Sequence, residues 1–171
     1  FSVVPGGRWE STGAGLAGTF DKDSTVLSAS SYSNVRVQAT VRFGTGAYYG
    51  ELLNRDLMPE KGYGGAGSVL LRSTPDGSSA YYVNLDPNLR VVRVFKLVDG
   101  AFTVVASVPA ALSHGVGYAL DASVDGNRIT VALDGTQLID ATDSSLSSGR
   151  VGVNVFDGRA AYQDVVVTPL P

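Results

Sequence analysis

Six side chains between residues 67 and 98, Arg72, Tyr82, Asn84, Asp86, Arg93 and Phe95, combine chemistries that suit a polyhydroxylated ligand. A guanidinium only donates hydrogen bonds, an ionised carboxylate only accepts them, and an amide does both. One hydroxyl pair held between such groups has a fixed orientation, while an aromatic ring offers apolar contact to C–H faces. The competing reading is an exposed Arg–Asp lattice that keeps an outer sheet soluble, with Asp86-Pro87 serving a turn.

The elements that must position these groups are strands. In AYYVNLD, Tyr81, Val83 and Leu85 alternate with Tyr82, Asn84 and Asp86, and in VVRVF, Val92 and Val94 alternate with Arg93 and Phe95. Successive side chains of a strand point to opposite faces, so the two polar sets become neighbours if the strands pair antiparallel across the 86–90 connection. Asn84 or Asp86 then stands across from Arg93. Arg72, at the end of the preceding strand, is expected to close the cluster.

The same period of two runs through the chain. Val35, Val37, Ala39, Val41 and Phe43 face one way and Arg36, Gln38, Thr40 and Arg42 the other, the pattern of a half-buried antiparallel strand. Further strands are expected at 67–73, 80–85, 91–98, 102–108, 118–125, 128–133, 137–140, 150–156 and 162–167, with shorter ones at 8–10, 18–20 and 25–28. Asp76-Gly77, Asp99-Gly100, Asp125-Gly126-Asn127, Asp134-Gly135 and Asp157-Gly158 read as hairpin turns, because Asp, Asn and Gly tolerate left-handed dihedrals. Turns about ten residues apart predict an all-β sandwich or jelly roll rather than βα units. Only 44–65, GTGAYYGELLNRDLMPEKGYGG, breaks the pattern. It reads as an insertion loop with at most one helical turn, in a chain otherwise forming one domain over 1–171.

Composition narrows the partners. The 171 residues are 44% hydrophobic and 17% charged, with a net charge of -3, and the basic residues are dispersed among acids. That argues against a nucleic-acid partner, which needs a basic stripe. No apolar run approaches a membrane span. With no cysteine and a single histidine, His114, thiolate chemistry, a Ser–His triad and a multi-histidine metal site are all excluded. Asp21 and Asp23 resemble half of an oxygen-ligand loop and, with Asp164, are the residues that would hold a structural calcium; no other cofactor is expected. The only glutamates are Glu10, Glu51 and Glu60, none with an acidic partner two residues away on an alternating strand, so the sequence shows no carboxylate pair of the glycosidase kind. Glu51 in the insertion and Asp157 after the 154–156 strand end are weaker ligand-binding candidates. The lone Trp9 reads as partly buried core rather than a platform. The opening FSVVPGGRWE lacks an initiator Met and the n- and h-regions of a signal peptide, so a processed or excised piece of a longer chain is expected.

AYYVNLDPNLRVVRVFKL, DASVDGNRITVALDG and SSGRVGVNVFDGRAAYQDVVV, with the earlier LSASSYSNVRVQATVRF, resemble the family 66 carbohydrate-binding modules appended to bacterial family 32 levanases. The likeness covers nearly the whole chain except 48–65. It implies a two-sheet antiparallel jelly roll of the concanavalin A-like group. It also implies a non-catalytic, secreted bacterial module, monomeric, that binds the terminal fructose of levan-type β-fructans and targets an attached hydrolase. A glycosidase or lyase on the same fold, and a laminin-G-like interaction domain, are the alternatives, since fold alone does not establish function.

Overall fold

The computed structural model describes residues 2–3, 8–13, 15–44 and 65–171. The insertion expected at about 44–65, Glu51 included, therefore lies almost wholly outside the described residues. Among the described residues there are twelve strands and no helix: β1 Ser2–Val3, β2 Arg8–Thr12, β3 Gly15–Tyr32, β4 Val35–Phe43, β5 Ala66–Ser73, β6 Ala80–Asp86, β7 Val91–Val98, β8 Ala101–Pro109, β9 Gly117–Asp125, β10 Arg128–Leu133, β11 Thr136–Thr142 and β12 Gly149–Pro169.

Every pairing is antiparallel, and two long strands make the sandwich. The first half of β12 pairs with β5 on one side and the second half of β3 on the other, giving a front layer ordered β1-β3-β12-β5-β6-β7-β8. The second half of β12 pairs with β4 and with the first half of β3, giving a back layer ordered β2-β3-β12-β4-β9-β10-β11. The expected strands at 18–20 and 25–28 are thus one strand, as are those at 150–156 and 162–167. The turn expected at Asp157-Gly158 is a β-bulge instead: between Phe156 and Gly158 the pairing advances three residues along β3 for two along β12. Gly158, at φ +145°, takes up the distortion with a dihedral that side-chain-bearing residues rarely adopt. Asp21 and Lys22 lie opposite, inside strand β3 rather than in a loop.

The core fills the space between layers. Val35, Val37, Val41 and Phe43 of β4 and Leu120 and Val124 of β9 meet Val69 and Leu71 of β5, Tyr81, Val83 and Leu85 of β6 and Val92 and Val94 of β7. Trp9 packs on this core, tilted against Tyr162 at 6.4 Å between ring centroids, and its Nε1 donates to Ser24 Oγ at 2.9 Å. Gly18 lies under the indole, where an added Cβ would meet the ring at 2.7 Å. Outward-facing charges of the back layer pair with one another, Arg36 with Asp121 and Arg128 with Asp140, as the lattice reading describes for an exposed sheet.

The segment after β11 is tied across β6 and β7 by a partly buried carboxylate. Asp143 accepts from Lys96 Nζ at 2.5 Å, Tyr81 Oη at 2.7 Å and the Ser145 amide at 2.8 Å. Burial alone would raise its pKa, but the Lys96 ammonium and these hydrogen bonds outweigh it and hold the carboxyl well below the usual carboxylate range. Burial and the Asp143 contact push the Tyr81 phenol up to about 12. A depressed folded-state pKa stabilises the protein above the unfolded value, about 3.9, and that contribution drains away as pH falls through the folded one. Asp143→Asn is therefore expected to cost about 2 kcal/mol at pH 7, with the gap in Tm to the parent closing as pH falls below about 5. A gap independent of pH in a thermal-melt series would show the charge to be irrelevant.

Candidate functional site

The outer face of the front layer is organised in transverse rows, because four strand pairings are in register there. Thr25 of β3, Asn154 of β12, Ser68 of β5, Asn84 of β6 and Arg93 of β7 stand successively opposite one another. Their side chains hydrogen-bond along the row: Asn154 Nδ2 to Thr25 Oγ1 at 3.0 Å, Asn84 Nδ2 to Ser68 Oγ at 3.1 Å, and Arg93 Nε to Asn84 Oδ1 at 2.9 Å. Beneath the row the buried Tyr162 Oη donates to the carbonyls of Asn154 and Ser68, pinning β12 to β5. One step along the strands lies an apolar row, Leu27, Leu70, Tyr82, Phe95 and Val104. Tyr82 and Phe95 stack at 4.9 Å with their planes within 8°.

Between and over these rows runs a groove of about 340 Å³, lined by Ser68, Asn84, Arg93 and Asn154 on its polar side and by Tyr82, Phe95, Phe102, Val104 and Phe156 on its apolar side. Arg93 is its charged group, with a side chain 28% exposed. Asn84 holds Nε, Asp86 Oδ2 accepts from Nη2 at 3.3 Å, and the guanidinium carbon lies 5.5 Å from the Phe95 ring centroid. A guanidinium carries five N–H donors, so two are committed to positioning it and three remain for a ligand or water. Asp86 also closes the β6–β7 hairpin, where its Oδ1 accepts from the amides of Asn88 and Leu89, both at 3.0 Å. The lattice and turn reading therefore describes part of its work correctly.

Of the expected cluster, the structure brings together Tyr82, Asn84, Asp86 and Arg93. They do not form an open face, however. Asn84 is 4% exposed and lies in the floor, with Arg93 and Phe95 above it. Arg72 is elsewhere. Between Leu70 and Ser73 the pairing advances three residues along β5 for two along β12, and Arg72 sits in this bulge at φ +53°, out of the alternation that sequence parity assumed. Its buried guanidinium donates to the carbonyls of Ser33 and Leu146, both at 2.7 Å, and burial lowers its pKa. Arg72 is thus a strut between layers. Glu51 lies outside the described residues, as do the side chains of Asp157, Asp21 and Asp23. Asp164 is exposed, and no group of three or more His, Asp or Glu that could hold a metal occurs among the described residues. His114 sits half-buried in a turn.

Residues that sequence reasoning left out are Ser68, Thr25 and Asn154 of the polar row and Phe102, Val104 and Phe156 of the apolar side. Period-two parity places Ser68 and Asn154 outward, but only the register reveals that they continue the row from Asn84.

The back layer carries a broader depression of about 740 Å³ on its outer face, lined by Arg36, Gln38, Asp121, Ser123 and Thr130 among others. Five of its polar side chains satisfy each other: Arg36 Nε donates to Asp121 Oδ1 at 2.8 Å, Gln38 Nε2 to Asp121 Oδ2 at 3.1 Å, and the Ser123 and Thr130 hydroxyls share a hydrogen bond of 2.7 Å. It has no aromatic lining, so the front groove is the better candidate for a ligand. Asp121, Asp140 and Asp143 are each ion-paired. The pKa of Asp140, bonded to Arg128, and that of Asp143, bonded to Lys96 and Tyr81, are lowered, the opposite of the raised pKa that a catalytic acid needs.

The chain resembles the carbohydrate-binding module CBM66 from Bacillus subtilis, at 30% identity and a TM-score of 0.83, over 97% of this chain and 93% of that one. It is 32% identical over 161 residues to the levanase of Bacillus subtilis (strain 168), covering 93% of this chain but 21% of the levanase. A second levanase, from Bacillus sp. (strain L7), is 33% identical over 111 residues, covering 63% of this chain and 12% of that protein. The chain thus spans about a fifth or less of the curated relatives it matches. No protein-family model matches it. Two antiparallel layers, a groove with a polar and an apolar side, and these relatives define a non-catalytic carbohydrate-binding module. The chain belongs to family 66 of these modules.

Proposed function

We propose that this module, as a monomer, binds the terminal fructose of levan-type β-fructans in the front groove and holds an attached glycoside hydrolase against its substrate outside a bacterial cell. The observation that carries the reading is Arg93, oriented by Asn84 and Asp86 beside the Phe95 ring. Vicinal hydroxyls of one furanose match the donors of one fixed guanidinium, and the C–H face of the sugar matches the ring. Recognition of a chain end concentrates the binding energy on one sugar unit. Affinity for a polymer then rises when the module and its hydrolase engage together.

Calorimetry against levan, inulin, fructose and unrelated glucans and xylans tests this. The expected result is binding to levan and to fructose, none to glucans or xylans, and no new reducing ends. Capacity per gram of levan is expected to rise in proportion to chain ends when the polymer is cut by an endo-acting enzyme. Capacity that follows polymer mass instead would rule out end recognition, and absence of fructan binding would rule out the reading entirely.

A further inference from the structure

We infer that the depression on the outer face of the back layer is a second glycan site, which takes interior units of a neutral polysaccharide chain. It shares its ligand class with the fructan reading but not its site, so the two can fail independently. The hollow of about 740 Å³ draws its lining from every strand between β12 and β11: Asp164 of β12, Gln38 and Thr40 of β4, Asp121 of β9, Thr130 of β10 and Gln137 of β11. One border is a continuous polar row, because Thr168, Arg36, Ser123, Thr130 and Asp140 stand successively opposite one another. Neighbouring strands lie about 4.8 Å apart, so five of them carry a trough about 19 Å long across the sheet. That length suits consecutive sugar units, whereas the front groove of about 340 Å³ suits a chain end.

Two features set this face apart from an ordinary solvated sheet. Ala132 stands between Asp121 and Gln137 in register, and Ala119 lies two residues from Asp121 along β9. A face built only for solubility carries long charged side chains at such outward positions; here two methyl groups leave a hollow. The second feature is a bulge that brings a carboxylate to the trough. Between Gln163 and Val166 the pairing advances three residues along β12 for two along β4, and Asp164 sits there at φ +51°. A side-chain-bearing residue is strained in that region, and bulges beside binding sites serve to re-aim one side chain. Among the described residues, the side chains of Thr40, Gln137 and Asp164 have no hydrogen-bond or ion-pair partner. A hydroxyl, an amide and a carboxylate together supply both donors and acceptors for sugar hydroxyls. One guanidinium against two carboxylates leaves the lining slightly negative, which turns away acidic chains. Without an aromatic ring the trough reads hydroxyls rather than flat C–H faces, so its affinity per unit is low. A weak second contact still adds avidity on a polymer surface that offers many chains. A second copy of this chain packed on the back layer is the competing occupant.

The experiment follows backbone and side-chain amide resonances of the parent, Arg93→Ala and the double variant Thr40→Val/Gln137→Ala during titration with fructose and with levan oligosaccharides of about ten units. Fructose is expected to shift only front-groove resonances, those of Ser68, Asn84 and Arg93. The oligosaccharide is expected to shift Thr40, Asp164 and the Gln38 and Gln137 amides as well, and to go on doing so in Arg93→Ala. The double variant is expected to lose the back-layer shifts, to bind polymeric levan about fivefold more weakly and to hold fructose within about twofold of the parent. Front-groove shifts without back-layer shifts in the oligosaccharide titration of the parent overturn the trough and leave the terminal-fructose reading standing. Back-layer shifts without front-groove shifts overturn the terminal-fructose reading and leave the trough. Back-layer shifts produced equally by fructose overturn recognition of interior units. Back-layer shifts that arise on raising the protein concentration without sugar assign the face to a second copy and overturn the glycan site. Absence of shifts at either face removes both.

Discussion

Arg93→Ala is expected to weaken levan binding about 100-fold, the loss of two charge-assisted hydrogen bonds worth about 1.5 kcal/mol each. The arginine is the part-exposed member of a cluster whose other polar groups, Asn84 and Asp86, are spent on aiming it. Unfolding should change little, because a partly exposed ion pair contributes about 1 kcal/mol or less. Asp86→Asn is a finer probe than Asp86→Ala. The amide retains the Oδ1 acceptor that closes the hairpin at Asn88 and Leu89 but gives up the charge opposite the guanidinium. Its expected loss is about tenfold, with the hairpin intact. Unaltered affinity of Arg93→Ala in affinity electrophoresis would remove the guanidinium from the site.

The second large effect concerns stability and runs the other way. Arg72→Met is expected to destabilise the protein by about 3 kcal/mol, since the carbonyls of Ser33 and Leu146 lose their buried donor. For a chain of this size that lowers Tm by about 6–12 °C. Levan binding at room temperature should be retained, because the methionine chain fills the space and the groove lies elsewhere. Lost binding with unchanged Tm would return Arg72 to the ligand site. The two arginines are 21 residues apart on neighbouring parts of one sheet and have opposite expected phenotypes.

That contrast marks where the sequence stops being legible. Alternation identifies β4 and the β9–β10–β11 meander correctly, because regular strands with one buried face write their periodicity directly into residue type. Parity likewise puts Tyr82, Asn84 and Arg93 on one face. It fails at Arg72 because a bulge inserts one residue and resets the phase, and no residue type there announces it. It fails again at Asp157-Gly158, where turn-forming residues serve a bulge inside a strand. Both settings call for a positive φ that glycine adopts freely, so composition cannot distinguish them. The rows of the groove escape sequence reading for a different reason. Thr25, Asn154 and Ser68 are far apart in the chain, and only β12, lying between β3 and β5, aligns them.

The arrangement of β3 and β12 also shapes how the chain acquires its structure. Residues 15–32 find their β12 partners more than a hundred positions later, and one edge of β4 and one of β5 wait for the same strand. Such distant pairings make loop closure expensive early and place folding in the millisecond-to-second range. During synthesis neither layer can close until β12 has emerged, so a ribosome stalled before residue 149 would present open sheet edges to chaperones instead of a half-finished module.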